Sequence, residues 1–483
     1  RTSNTGELMP INSFLYPAKN VPVVYEVANS IRLNDGDSPR LRNAFGTPTN
    51  RKKYTFSAWM KKGKVGNTSG GTEDTLWGVY TDGSNYSYLR INTGPQFEWK
   101  IREGGSTVGK IQTNALIRDP SAWLHIVVAY DSTQGTAANR MKMYINGTQV
   151  SSLNTATYVN ENVETTFNES GQNLDIGSDG NGAGYFDGYM AEVVFIDGQQ
   201  LAADQFGEFD EDSPTIWKPK DVSGLTFGDN GSYLNFEDSS ALGNDVSGNN
   251  RDFASTNLAA TDQATDTCTN NFATLNSSIL LTDVTLSEGN LKAAFGSAST
   301  RSPAGATLAP TSGKWYYELK LIASSSGNYI SVGYADIYAN GTQLGNYTTA
   351  GSLGFGINAW DGTIVNRTST TTSAPGDFAM TPDDILGVYL DIDNLQQTFT
   401  LNGTQHSTGY DAITASTTGF YIATIGDGGS SQTISAEINF GSPTFAISSS
   451  NTDANGYGNF EYSPTIGGVN FYALNTKNLA EFG

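Results

Sequence analysis

Residues 383–403 read DDILGVYLDIDNLQQTFTLNG, and the spacing in that stretch decides the fold class. Leu386, Val388, Leu390 and Ile392 fall on one face, and Gly387, Tyr389, Asp391 and Asp393 on the other. A period of two over that length marks a strand with one face in a core. The polar step Asn394-Leu395-Gln396-Gln397 turns the chain, Phe399 and Leu401 resume the alternation, and Asn402-Gly403 closes it. Asn-Gly tolerates the positive φ angles of a tight hairpin turn. The stretch is expected to be two antiparallel strands, and the same pattern recurs along the chain.

Residues 276–446 continue the theme. GKWYYELKL puts Trp315, Tyr317, Leu319 and Leu321 on one face and Tyr316, Glu318 and Lys320 on the other. NYISVGYAD, GSLGFGINAWDGTIV, GFYIATIGDGG and ISAEINFG add further strand candidates. Residues 21–238 form a second β-rich region. There Tyr54, Phe56, Ala58 and Met60 alternate, as do Leu124, Ile126, Val128 and Tyr130, and Met141, Met143 and Ile145. Tyr189, Ala191, Val193 and Phe195 alternate in YMAEVVFIDG, and LAADQFGEF after it is the one good helical candidate. Residues 1–20 are an untidy arm with two prolines, 239–275 a polar linker or irregular cover holding Cys268, and 447–483 an aromatic, Gly-rich tail. The expected fold is all-β: two antiparallel β-sandwich (jelly-roll) domains in tandem, with an irregular N-terminal arm and C-terminal tail.

Composition agrees with that class. Among 483 residues there are 54 glycines and only 16% charged side chains, as short strands joined by many turns require. Aromatic residues make up 11%, enough for large cores. The net charge of −21, from 48 acidic and 27 basic residues, disfavours nucleic-acid binding, because a phosphate backbone would be repelled. A lone Cys268 cannot form an intrachain disulfide, and His125 and His406 lie far apart in sequence, which weakens any zinc or imidazole-based proposal. No apolar run approaches bilayer length, so membrane insertion is not expected. The chain opens at Arg1 rather than Met, consistent with a processed or partly observed product.

Three resemblances follow from motif order. Trp59, Trp123 with His125, Tyr144-Ile145-Asn146-Gly147, and Gly188 with Glu192-Val193 resemble the laminin-G/pentraxin-like group of concanavalin A-like sandwiches. Trp315 to Glu318, Val332 to Ala335, Asp361-Gly362, Asp384 to Asp391, Phe399 to Gly403 and Asn439 to Gly441 resemble a SPRY domain. The SPRY resemblance implies a two-sheet sandwich that binds partners through loops and has no chemistry of its own. Asn29 to Leu33, the LGNDVSGNNRDF stretch, the SPRY-like region and the GYGNF tail together resemble structural proteins of tailed marine bacteriophages, of the tail-fibre, spike or capsid-surface kind.

Candidate chemistry is sparse. Glycoside hydrolases of the concanavalin-like fold carry two acids on one strand face. Here the nearest pair is Asp391 and Asp393, beside a hairpin turn where a structural role is the better account. His125 shares the Val127 face and is expected to be packed and hydrogen-bonded, and no Gly-x-Ser-x-Gly elbow accompanies it. No catalytic residue is therefore assigned. Asp179, Asn181 and Asp187, in DIGSDGNGAGYFDG, offer hard oxygens on a Gly-rich loop and are the candidate calcium ligands. A turn rich in Asp and Asn for backbone reasons is the competing account. Calcium is the one cofactor these residues suggest. Trp77, Tyr80, Trp360 and Asp361 are the ligand-binding candidates, since sugar rings pack on aromatic faces and Asp accepts hydroxyl hydrogen bonds. Trp77 and Tyr88 fit a core role as well. Asn146, Asn340 and Asn402 each begin Asn-Gly-Thr-Gln, expected as a repeated turn.

The functional expectation is a non-enzymatic virion-surface protein, assembled in the host cytoplasm, that recognises host-surface glycans or proteins. Capsid or tail decoration without host recognition is the alternative, and a polysaccharide depolymerase the third class. Expected partners are other virion proteins and copies of the chain itself, with a trimer favoured. Phe14, Tyr16, Tyr457, Phe460, Tyr462, Phe471 and Tyr472 have no strand of their own and are expected against another chain.

Overall fold

A computed structural model describes residues 25–64, 73–278, 283–296, 303–325, 327–336, 354–358, 362–366, 369–371, 379–406, 409–427 and 433–482. Phe14, Tyr16, Asn340, Trp360 and Asp361 lie outside them.

Two β-sandwiches follow one another. In the first, sheet A runs in the order Thr148–Gln149, Met141–Ile145, Trp123–Asp131, Lys53–Lys62, Gly188–Asp197, Ser30–Leu33 and Gln263–Ala264, with Ser232–Leu234 also paired to Gly188–Asp197. Sheet B runs Leu153–Thr157, Ser106–Thr113, Phe97–Glu103, Asn85–Ile91, Asp74–Asp82, Asn173–Ile176, Arg40–Ala44 and Ala254–Thr256. The alternating residues Tyr54, Phe56, Ala58 and Met60 meet Ile126, Val128, Met141 and Met143 between these sheets. Aromatic rings thicken the layer: Tyr54 stacks on Tyr130 with centroids 4.7 Å apart and lies 4.4 Å from Phe167.

The second sandwich is built on the hairpin of residues 383–403. Sheet C runs Val284–Ser287, Lys292–Phe295, Ile434–Asn439, Lys314–Ser324, Ile385–Asp391, Gln396–Leu401 and Thr404–Gln405. Sheet D runs Pro303–Gly305, Ile422–Asp427, Ile330–Ala335, Gly354–Asn358, Thr363–Asn366 and Ser369–Thr371. Leu386, Val388 and Leu390 enter the core beside Trp315, Tyr317, Leu319 and Leu321, as their spacing requires.

The repeated Asn-Gly turn has the same mechanics in both sandwiches. Asn146 and Asn402 have φ of 46° and 49°, and the glycines after them 77° and 79°, so each turn residue occupies the left-handed region. In each case the Asn backbone N–H donates to the neighbouring strand, at 2.9 Å to the His125 or Ile385 carbonyl. The side-chain oxygen returns the bond, accepting the His125 N–H at 2.8 Å and the Ile385 N–H at 3.0 Å.

Three expectations are corrected. The LAADQFGEF segment is not a helix: Ala203–Gln205 makes one 3-10 turn without a side-chain cap, and Gly207–Phe209 then pairs with Trp217–Pro219. Phe206 and Ala203 are instead drawn onto the outer face of sheet A. The alternation proposed for Tyr189 to Phe195 breaks at Glu192, whose φ of 50° marks a β-bulge between Ala191 and Val194. One extra residue shifts the register, so Tyr189 and Ala191 point outward while Val193 and Phe195 point inward. The tail aromatics Phe460 and Phe471 are fully buried against Tyr316 and Tyr389 of their own chain, so they do not call for a partner surface.

Residues 239–275 do more than connect the sandwiches. They supply Ala254–Thr256 to sheet B and Gln263–Ala264 to sheet A. Val222 and Phe227 pack on part of sheet A's outer face, and Val27 packs on another part, around Trp59, Trp123 and Tyr189. The tail likewise covers sheet C, where Glu318 accepts the backbone N–H groups of Glu461 at 3.1 Å and Tyr462 at 2.7 Å.

The bulge gives one pH prediction. Glu192 is buried and accepts hydroxyl bonds from Tyr25 at 2.9 Å and Tyr233 at 2.8 Å. Burial nevertheless raises its pKa from the ordinary 4.5 to about 7. The folded state thus holds this proton more tightly than the unfolded chain, and the associated stability is full below pH 4.5 and falls as pH rises to 7. Glu192→Gln should flatten that decline, retaining on the order of 1–3 kcal/mol more than the parent at pH 8 than at pH 5. Urea unfolding at the two pH values measures it, and parallel curves for parent and variant would disprove it.

Candidate functional site

Sheet B carries the open aromatic face of the described residues. Its strands alternate, so Trp77, Val79, Leu89, Trp99 and Ile101 enter the core and their neighbours point outward. On the outer side Arg102 pairs in register with Tyr86, and Tyr86 with Tyr80. The adjacent row runs Lys110, Lys100, Tyr88, Gly78 and Asp175. The three tyrosine rings are nearly parallel, with Tyr80 and Tyr86 centroids 6.2 Å apart and Tyr86 and Tyr88 5.7 Å apart. Lys100 Nζ lies 5.4 Å from the Tyr86 centroid, and Arg102 Cζ 6.0 Å from it. Tyr80, Tyr86, Lys100 and Arg102 are half-buried, whereas Tyr88 is buried and donates its hydroxyl to Glu98 at 3.0 Å.

The Gly-rich loop after Asn173–Ile176 borders this ridge. It crosses Gly78 so closely that a Cβ there would lie 2.2 Å from the Asp179 carbonyl carbon, and Gly180 packs on Tyr80. Asp179 Oδ1 accepts the backbone N–H groups of Asn181 at 2.8 Å and Ala183 at 3.0 Å, which shapes the turn. The result is a ridge of tyrosines with cations on one flank and Asp179 and Asn181 on the other.

The remaining candidates separate. Trp77 is fully buried beneath the ridge, 4.5 Å from Phe167 between centroids, and cannot present a ring to a ligand. Its position beside Tyr80 in sequence hides that the two point to opposite faces. The calcium set is not assembled. Asp179 is turned into its own loop, Asn181 is exposed, and Asp187 is buried with Lys64 Nζ 2.9 Å from its carboxylate. Burial raises the Asp187 pKa to about 7 against the pull of Lys64. Asp175, in the same segment, is held by Arg42 through bonds of 2.5 and 2.7 Å. Among the described residues no three His, Cys, Asp or Glu side chains are grouped to hold a metal. Trp360 and Asp361 lie outside the described residues.

Potential catalytic groups have structural work. The indole N–H of Trp217, a donor only, reaches His125 Nδ1 at 3.1 Å, so Nδ1 is the acceptor and Nε2 carries the proton. His125 Nε2 therefore donates to Ser57 Oγ at 2.8 Å and is not placed to take its proton. Burial pushes the His125 pKa down to about 3, which keeps the ring neutral. Asp391 pairs with Lys314 and accepts the Asn394 N–H at 3.0 Å, and Asp393 accepts the Gly313 N–H at 2.8 Å. Lys100 and Arg102 escaped the sequence reading, although FEWKIRE alternates and sets them opposite Phe97, Trp99 and Ile101.

Comparison with known families agrees with the two-sandwich fold. Residues 34–204 match the concanavalin A-like lectin/glucanases superfamily, and residues 314–442 match the SPRY domain. The first sandwich is concanavalin A-like and the second SPRY-like. Both are binding-type folds. No curated protein matches the chain. Among solved structures, the SPRY domain of human HERC1 is 15% identical with a TM-score of 0.29, over 34% of this chain and 96% of that one. A heptameric SAP-like pentraxin from Limulus polyphemus is 15% identical with a TM-score of 0.28, over 38% and 82%. A human SPRY domain gives 15% and 0.25, over 35% and 98%. Within the concanavalin A-like domain the open sheet is the one bearing Tyr80 and Tyr86. The outer faces of sheet A and of the SPRY-like sheet C are occupied by the chain's own segments.

Proposed function

We propose that the chain is a non-enzymatic adhesin of a virion surface and that the concanavalin A-like domain binds host glycans across the outer face of sheet B. The observation carrying this reading is the half-exposed Tyr80–Tyr86 ridge between the Lys100–Arg102 flank and the Asp179–Asn181 turn. Sugar C–H groups pack on such rings, and amide and carboxylate groups at the edge accept hydroxyl hydrogen bonds. The virion setting is supported by the order of motifs in the sequence.

The full chain should give glycan-array signals that fall at least about tenfold, roughly 1.4 kcal/mol, in the Tyr80→Ala/Tyr86→Ala variant. An array without signal would overturn the adhesin reading. Decoration of a particle is the second reading, favoured by the buried lock between the domains. Tyr189 donates to the Gly289 carbonyl at 2.9 Å, and fully buried Arg32 donates to the carbonyls of Thr261 at 2.6 Å and Pro443 at 3.4 Å. That reading expects particles to lose stability when the protein is removed, with no change in host adsorption. Release of reducing sugar from an envelope polysaccharide would instead point to a depolymerase.

A further inference from the structure

We infer that the ligand of the sheet B face is an acidic polysaccharide, a chain bearing uronate or sulfate groups; this rests on the glycan-binding reading above. The cations of this face differ in whether they already have partners. Arg90 pairs with Glu98 at 2.6 Å and with Glu73, Lys110 with Glu98 at 2.6 Å, and Arg42 with Asp175 at 2.5 Å. Lys100 and Arg102 make no ion pair among the described residues, and their contacts are with the faces of Tyr86 and Tyr88. On a chain of net charge −21, two adjacent uncompensated cations beside an aromatic ridge are a local reversal of the field.

Their arrangement fits a sugar chain that carries acid groups. Arg102, Tyr86 and Tyr80 lie in register on three consecutive strands, a span of roughly 10 Å at about 4.8 Å per strand. A saccharide laid along that row meets a guanidinium first, then the two rings, then the Asp179–Asn181 turn. A guanidinium binds carboxylate or sulfate through paired N–H donors, and an ammonium adds a point charge, while the rings take the apolar sugar face. The turn suits hydroxyls, since Asn181 is exposed there. Single-stranded nucleic acid would also stack on tyrosines. However, its dense phosphates would meet Asp82, Asp179 and the chain's net negative charge, offset on this face by Lys100 and Arg102.

The test uses the full chain in isothermal titration at low salt, with polygalacturonate, heparin, neutral dextran and laminarin, and single-stranded DNA. The expected result is at least about tenfold tighter binding to one of the acidic polysaccharides than to either neutral one, weakening as salt is raised. Lys100→Gln/Arg102→Gln should lose about tenfold for the acidic ligand with an unchanged thermal midpoint, while Tyr80→Ala/Tyr86→Ala should lose binding to both classes. Equal affinity for neutral and acidic glycans would overturn the acidic assignment and leave the glycan reading standing. Binding to no polysaccharide would overturn both. Tighter binding to DNA would replace the polysaccharide with a nucleic acid.

Discussion

Lys61→Met should destabilise the protein by about 3–5 kcal/mol, because it strands a buried carboxylate. Lys61 and Asp266 are each 1% exposed, and Lys61 Nζ is 2.8 Å from Asp266 Oδ2. The other ammonium donors reach Asn271 Oδ1 at 2.7 Å and the Phe272 carbonyl at 3.0 Å, so all three N–H bonds are used. Asp266 also accepts the Trp123 indole N–H at 3.0 Å, and its own carbonyl accepts Ser30 Oγ at 2.6 Å. The network joins sheet A to the segment entering the second sandwich, where Phe272 packs with Tyr316 and Phe460. Chemical unfolding followed by tryptophan fluorescence gives the measurement. Lys61→Met/Asp266→Asn should recover part of the loss, since the second change removes the orphaned charge. A single variant within about 0.5 kcal/mol of the parent would show that the pair is not a buried charge pair in solution.

Leu390→Ala should cost about 2–5 kcal/mol, through lost transfer free energy and the cavity left behind. Leu390 is fully buried in the second core, opposite Trp315 on one neighbouring strand and Gln397 on the other. Both neighbours are fixed by long ladders, so the site cannot easily collapse. Asp391→Asn, one residue on, should cost only about 1 kcal/mol, because Asn can still accept the Asn394 N–H. Equal unfolding midpoints for the parent and both variants would place residue 390 outside the core and refute the register.

These two sites differ in how far the sequence alone discloses them. Leu390 is legible because its neighbours at 386, 388 and 392 share its face, and period-two burial is a local property of the chain. The Lys61–Asp266 pair is not, since its members are separated by 205 positions and each looks like an ordinary surface charge. The candidate site divides in the same way. Tyr80 and Tyr86 are visible as aromatics near a turn, but the freedom of Lys100 and Arg102 depends on which strands supply Glu98, Glu73 and Asp175 to the other cations.

Most strands, their Asn-Gly turns and the two sandwich cores are legible in the sequence, because alternation and the left-handed preference of Asn-Gly act over a few residues. Tertiary structure decided what becomes of the outward faces. An alternating strand has the same pattern whether its second face meets water or a distant segment. Tyr316 and Tyr389 are buried by Phe460 and Phe471, and Trp59 and Trp123 lie under Val27, while Tyr80 and Tyr86 are left accessible. The bulge at Glu192 is likewise a tertiary feature, where one inserted residue exchanges the faces of the strand. The acids of the Gly-rich loop show the same limit. Their spacing suggested a shared cation, but Asp179 accepts its own turn's N–H groups while Asp187 pairs with Lys64, because backbone donors and a lysine reach them first.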